Sequence, residues 1–508
     1  MQGDQKKAGV ILSYLSQGIY ILSGLFYAPF MLRLLGQNEY GLYQMVYAVV
    51  SNLSLLSFGF SNSYMRFYAR HKARGEEEKI ASLNGMFMTV FMCISVICII
   101  CGAVMITNIE VIFSDGLTAG EYARVRVLFI LLIISMTLSF PRSVFISITA
   151  AHERYLFLKI IEVMQGILNP FIAIPLLVLG YGSVGMVSAS LLLSAIAFAA
   201  NAFFCIRVLN VHFCFRNFHC GMLKEMFVFT FFIFMNQIID QVNWNIDKVL
   251  LGRFSGTVAV AVYGLGANIN TMYLQFANAI SYVFVSRVNR IVAESNDNRE
   301  LTLLFTKVGR IQFIVLGLIL SGFIIFGQQF MILWGGKEYK DSFTVAILLI
   351  FPVTFPLIQN LGIEIQRAKN MHKARSVVYF LISVCNLFIS IPLIRAYGAG
   401  GAACGTAIAL VAGNILFMNW YYYCRIGLDI IYFWKKIASF MPALILPGIL
   451  GVMINFYVPI ENPVIMLMGI AVYSITYFIS MWFFGLNAFE KSQVMKILQK
   501  VHWGKRGK

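Results

Sequence analysis

Apolar runs of about 20 residues, separated by short charged or glycine-rich breaks, recur along the whole chain. Each is long enough to cross a hydrocarbon core of roughly 30 Å as a helix. Dividing at the breaks gives fourteen spans: 10–32, 42–63, 83–106, 127–150, 157–178, 184–206, 225–247, 257–285, 308–329, 342–364, 376–395, 401–423, 437–457 and 463–485. No stretch shows the in-out alternation of a membrane barrel. The pattern predicts an all-α polytopic membrane protein.

The seventh and eighth spans depart from uniform apolarity. Asn236, Asp240, Asn243 and Asp247 follow one another at spacings of four, three and four, which places them on one face of a helix. Asn268, Thr271, Gln275, Asn278 and Tyr282 form a second polar stripe on the next span. A carboxylate such as Asp240 in a membrane helix costs about 2.5–3.5 kcal/mol unless it is partnered or wet. The bland reading is that these amides hold helices together, since Asn and Gln hydrogen-bond across membrane interfaces. The alternative is that two neighbouring helices offer amides and carboxylates to one cavity.

Composition agrees with the pattern: 59% of the 508 residues are hydrophobic and 12% charged, against about 25% charged in soluble domains. The net charge of +17 is explained by topology. Of the 39 Lys and Arg, 30 fall at the termini, in the loops after even-numbered spans or at the adjoining span ends (Lys159, Arg310), eight on the other side with Arg395 at a span end, and Arg142 lies deep within a span. Both termini are therefore expected in the cytoplasm. No basic stretch is interleaved with exposed aromatics, so nucleic acid is not an expected partner. The cysteines and the six histidines show neither a disulfide framework nor metal-ligand spacing, and the histidines are expected at the cytoplasmic surface. The run from Val10 to Leu32 is too long for a signal-peptide core and is read as a retained span. The outer loops are too short for a catalytic domain, which argues against an enzyme. Asn487 and Glu490 resemble a capping box opening an amphipathic helix on the inner membrane surface.

A repeat is visible at an offset of 216 to 217 residues. Leu34-Leu35-Gly36 recurs as Leu250-Leu251-Gly252, Asn52 as Asn268, Asn62 as Asn278, Arg70 as Arg287, Asn169 as Asn386, Pro175 as Pro392 and Tyr181-Gly182 as Tyr397-Gly398. Six spans separate the copies, so both halves enter the membrane in the same direction, as in transporters built from parallel repeats. The expected division is an N-terminal six-helix bundle (1–215), a C-terminal six-helix bundle (216–426) and two further helices with a tail (427–508). The charges of the seventh-span stripe have no equivalent in the first half, where Tyr20, Gly24, Tyr27 and Met31 stand instead.

The run Leu35-Gly36-Gln37-Asn38-Glu39-Tyr40-Gly41-Leu42-Tyr43, with Phe58-Gly59-Phe60, Tyr64-Met65-Arg66-Phe67-Tyr68, Asp247-Lys248-Val249-Leu250-Leu251-Gly252 and Tyr263, resembles the polysaccharide-biosynthesis (oligosaccharide flippase) family of the multidrug/oligosaccharidyl-lipid/polysaccharide transporter superfamily. The resemblance implies twelve core helices plus two, flipping an undecaprenyl-pyrophosphate-linked oligosaccharide to the outer leaflet for O-antigen, capsule or exopolysaccharide assembly. It also implies a gate or family element at Gly36, Tyr40, Gly41, Asp247, Lys248 and Gly252. Substrate-cavity candidates are Asn52, Asn62, Arg142, Asn236, Asp240, Asn243, Asn268, Thr271, Gln275, Asn278 and Tyr282. Arg142, next to the helix-bending Pro141, either contacts the diphosphate or pairs with Glu162. Asp240 either couples transport to protons or sodium or braces its helix. No cofactor is expected. Expected partners are the lipid-linked oligosaccharide, the phospholipid membrane, and a polysaccharide polymerase or other assembly proteins. Rival readings are a cation-coupled multidrug exporter of the same superfamily and a membrane-embedded polymerase or ligase.

Overall fold

The computed structural model describes residues 2–113, 117–216, 220–369, 371–458, 462–488, 490–492 and 495, with side chains from residue 18 onward apart from scattered positions. No strand occurs among the described residues. The fourteen expected segments lie on largely helical backbone. Among the described residues eight helices are long and apolar enough to cross a membrane, and the pair Ser342–Ile358 and Leu361–Ala368, bent by 48°, makes a ninth. The first two segments run together in Gln2–Ser51 across a kink at Gly36 (φ 74°), and the eleventh and twelfth in His372–Leu410 across a kink at Gly398 (φ 55°). Phe171, Val178, Leu179, Phe388 and Phe456 point their apolar surface outward, which suits a lipid-facing exterior.

The chain forms two compact units, Met1–Leu265 with Tyr379–Thr406, and Gly266–Val378 with Ala407–Lys508. These units describe packing; the segments 1–215, 216–426 and 427–508 describe sequence repetition.

The repeat recurs in local backbone geometry. Gly182 and Gly398, 216 apart, have φ of 56° and 55°. At an offset of 217, the Arg154 amide donates to the Thr149 carbonyl as that of Met371 does to Gln366, and the Val211 amide to Cys205 as that of Leu428 does to Tyr422. A π turn precedes each member of the second pair, at Phe204–Val208 and Tyr422–Ile426, and a positive-φ residue follows each, Asn210 and Gly427.

In the second unit one arginine fastens the two additional helices. Arg310, on Asn298–Gly335, donates through Nε and Nη2 to Glu490 at 2.6 and 2.9 Å, through Nη1 to the Lys436 carbonyl and the Ser439 hydroxyl, and through Nη2 to the Gly485 carbonyl. Its plane lies 4.1 Å from the Phe440 ring centroid. Glu490 also completes the expected capping box with Asn487.

Candidate functional site

The family element folds into two polar assemblies set back to back on Cys220–Phe254. Consecutive helical residues project about 100° apart, so Asp247 and Lys248 address different neighbours. Asp247 is completely buried. Its Oδ2 accepts from the Tyr263 hydroxyl at 2.7 Å and the Thr406 hydroxyl at 2.6 Å. Thr406 in turn accepts from the Asn386 amide at 3.4 Å, and Ser390 donates to the Asn386 carbonyl oxygen at 3.1 Å. Asp247 Oδ1 is buried with no hydrogen-bond partner. Glycine is required at 405, where a Cβ would be driven into the Ser390 hydroxyl. Hydroxyls and an amide thus form one buried hydrogen-bonded chain that ends on the carboxylate.

On the other side, Lys248, 7% exposed, donates to Gln44 Oε1 at 3.0 Å, and Gln44 donates to the Tyr40 hydroxyl at 2.6 Å. The motif glycines are contact points: a Cβ at Gly41 would strike the Thr257 carbonyl, and one at Gly252 the Met45 sulfur. Glu39, inside the same motif, accepts from the Ser183 amide at 2.8 Å and the Ser183 hydroxyl at 2.9 Å. It caps the start of Gly182–Phe203, where negative charge meets unpaired amides.

The repeat gives this site its meaning. In the first half Ser190 donates to Asn169 Oδ1 at 3.1 Å; at offsets of 216 and 217 the same positions are Thr406 and Asn386. A hydroxyl–amide brace therefore occurs twice. The carboxylate occurs once, because the position equivalent to Asp247 is Met31.

Residues 7–292 match the polysaccharide biosynthesis protein family. The chain belongs to that family. A Shigella flexneri protein named for O-antigen transport is 23% identical over 411 residues, covering 77% of this chain and 92% of its own. The capsular polysaccharide biosynthesis protein CapF of Staphylococcus aureus is 26% identical over 216 residues, 41% of this chain and 52% of its own. Among solved structures, the inward-closed lipid II flippase MurJ has a TM-score of 0.69 at 15% identity, covering 93% of this chain and 97% of its own. An inward-facing multidrug-resistance transporter has 0.63 at 14%, covering 84% and 99%. This polysaccharide-biosynthesis protein thus shares the fold of those two structures.

The cavity candidates fare unevenly in this family member. The side chains of Asn62, Asn236, Asp240, Asn243 and Tyr282 lie outside the described residues. Asn52 directs its amide to the Ala48 and Val49 carbonyls of its own helix, and Thr271 bonds to its own Ala267 carbonyl. Asn268 is half-buried. Gln275 keeps a buried, unpartnered Oε1, and the exposed Asn278 accepts from the Asn360 amide at 2.9 Å, beside the 48° bend. Arg142 donates to Gln165 Oε1 at 2.7 Å and keeps a buried, unpartnered Nε, while Glu162, bonded to Lys159 at 2.6 Å, acts on Arg142 through its charge without a hydrogen bond. A one-turn-removed amide takes the place expected for the carboxylate. The expectation of surface histidines also needs correction. His71 is buried against Glu76 at 2.6 Å, and His152 lies between the Tyr68 hydroxyl and the Ile148 carbonyl.

Sequence reasoning named Asp247, Lys248 and Tyr263 but missed Thr406, Ser390 and Gln44. Asn386 carried a signal, through its repeat partner Asn169.

Proposed function

We propose that this multi-pass membrane transporter flips an undecaprenyl-pyrophosphate-linked oligosaccharide from the inner to the outer leaflet of a bacterial cytoplasmic membrane, by alternating access, for assembly of O-antigen, capsule or exopolysaccharide. The observation that carries the reading is the alignment with 92% of the Shigella protein named for O-antigen transport. The lipid II flippase fold supports it. In this reading both termini face the cytoplasm, and a polysaccharide polymerase takes up the product. The half-buried Arg142, with one guanidinium nitrogen unsatisfied, is the candidate contact for the diphosphate. Coupling to a proton or sodium gradient is assigned to Asp247. Its support is the buried, half-satisfied carboxylate added to only one of two equivalent braces.

The test is a strain lacking the gene. Lipid-linked oligosaccharide should accumulate in the inner leaflet and surface polysaccharide should fall, with both restored by the wild-type chain. Unchanged surface polysaccharide, or restored drug efflux in its place, would refute the reading.

A further inference from the structure

We infer that the two additional helices carry a binding site for the phosphate headgroup of an anionic phospholipid, made by Lys435, Lys436 and Lys491 at the end that the Lys/Arg bias assigns to the cytoplasm. Such a site is separate from the transporter reading above and independent of which glycan the chain moves.

Arg310 brings the three lysines together. Its Nη1 donates to the Lys436 carbonyl at 2.6 Å, its Nη2 to the Gly485 carbonyl at 3.0 Å, and its Nε to Glu490, the residue before Lys491, at 2.6 Å. One guanidinium thus holds the last turn of Ile430–Ala438 and the chain after Gly485 at the same point. The lysine side chains are left over from this junction. Lys435 and Lys436 are exposed and Lys491 is half-buried, and none of the three has an ion-pair partner among the described residues.

The acids at this end are already occupied. Glu490 answers Arg310, and Asp429 caps its own helix by accepting the Tyr432 amide at 2.8 Å. After Lys491 the sequence holds five more Lys and Arg and no acid. Topology alone accounts for an excess of cations here; a site requires that they be held at a fixed depth.

Two rings do this. Lys436 Nζ stands 5.4 Å from the centre of the Tyr432 ring, and Lys491 Nζ 5.9 Å from that of Trp482. Both rings are half-buried, as suits Tyr and Trp at the level of the headgroups. Contact with a ring face restrains an ammonium that would otherwise snorkel freely into water. Beside them Ile431, Phe483 and Phe484 are largely exposed and present apolar surface to acyl chains. Cations near an anionic leaflet attract its lipids. Ammonium groups held over exposed apolar side chains match both parts of such a lipid, whereas a soluble anion would use only the first.

The test uses the full chain in detergent, titrated with dioleoylphosphatidylglycerol or dioleoylphosphatidylcholine, and native mass spectrometry reads the fraction of protein carrying lipid. Wild type should bind phosphatidylglycerol several-fold better than phosphatidylcholine. Lys435→Gln, Lys436→Gln and Lys491→Gln together should remove most of that preference, and Lys→Arg at the same three positions should keep it. Equal binding of the two lipids by wild type, or an undiminished preference in the glutamine variant, would overturn the site. Arg287→Gln with Arg290→Gln takes two exposed charges from Val285–Glu294 and should leave the preference at its wild-type value; an equal fall there would reduce the effect to bulk charge and overturn the site as well. Glycerol phosphate at the same concentration should not displace the lipid, and displacement would make the ligand a free anion and overturn the lipid assignment. If the glutamine variant does not accumulate, Lys436→Gln alone decides: a lower preference supports the site and an unchanged one overturns it.

Discussion

Thr406 donates its hydroxyl to Asp247 at 2.6 Å while accepting the Asn386 amide, so the single carboxylate of the site is held by a chain of donors that all point one way. The orientation leaves Asp247 Oδ1 open and Oδ2 fully used.

Asp247→Asn keeps the volume and removes the charge. Flipping measured against an imposed proton or sodium gradient should lose its gradient dependence while the protein still accumulates. Gradient dependence equal to wild type would place coupling elsewhere.

Thr406→Val removes the donor and leaves the carboxylate with Tyr263. Losing one donor to a buried charged group costs about 1–3 kcal/mol, seen as a lower midpoint in a detergent thermal-unfolding assay. Thr406→Ser should retain wild-type stability, and a midpoint for Thr406→Val equal to wild type would contradict the role.

Arg310→Lys leaves Glu490 without its bidentate partner. A lysine keeps the charge but cannot reproduce the fork of donors to Glu490, Lys436, Ser439 and Gly485. The expected result is loss of thermal stability and faster proteolysis after Gly485. Cleavage as slow as in wild type would remove Arg310 from the anchoring of the tail.

Arg142→Gln should reduce flipping of a diphosphate-linked glycan well below wild type, with Arg142→Lys intermediate because a point charge replaces a planar one. Wild-type rates in both would assign Arg142 to helix packing with Gln165.

The spans and their class were legible because an apolar run of about 20 residues, wound as a helix, matches the thickness of the hydrocarbon core. The repeat was legible because a constant offset survives in glycines and prolines that fix backbone shape, as Gly182 and Gly398 do. Asp247, Lys248 and Tyr263 were legible as a motif, but not their partners. Hydroxyls such as Ser390 and Thr406 sit in apolar runs without breaking the hydropathy pattern, and Thr406 lies 159 residues from the carboxylate it serves. The stripes were legible as faces only: Asn52 and Thr271 spend their side chains on their own helices. Pairing between Arg310 and Glu490, 180 residues apart, had no local signal at all.

One brace with a carboxylate and one without has a thermodynamic consequence. If Asp247 is the only seat, each cycle carries a single positive charge. At about 100 mV the membrane potential acting on that ion alone yields roughly 2.3 kcal/mol, a leaflet bias of about fiftyfold. A flippase driven by that term alone would be a shallow pump, and consumption of the glycan on the outer face would have to draw it forward.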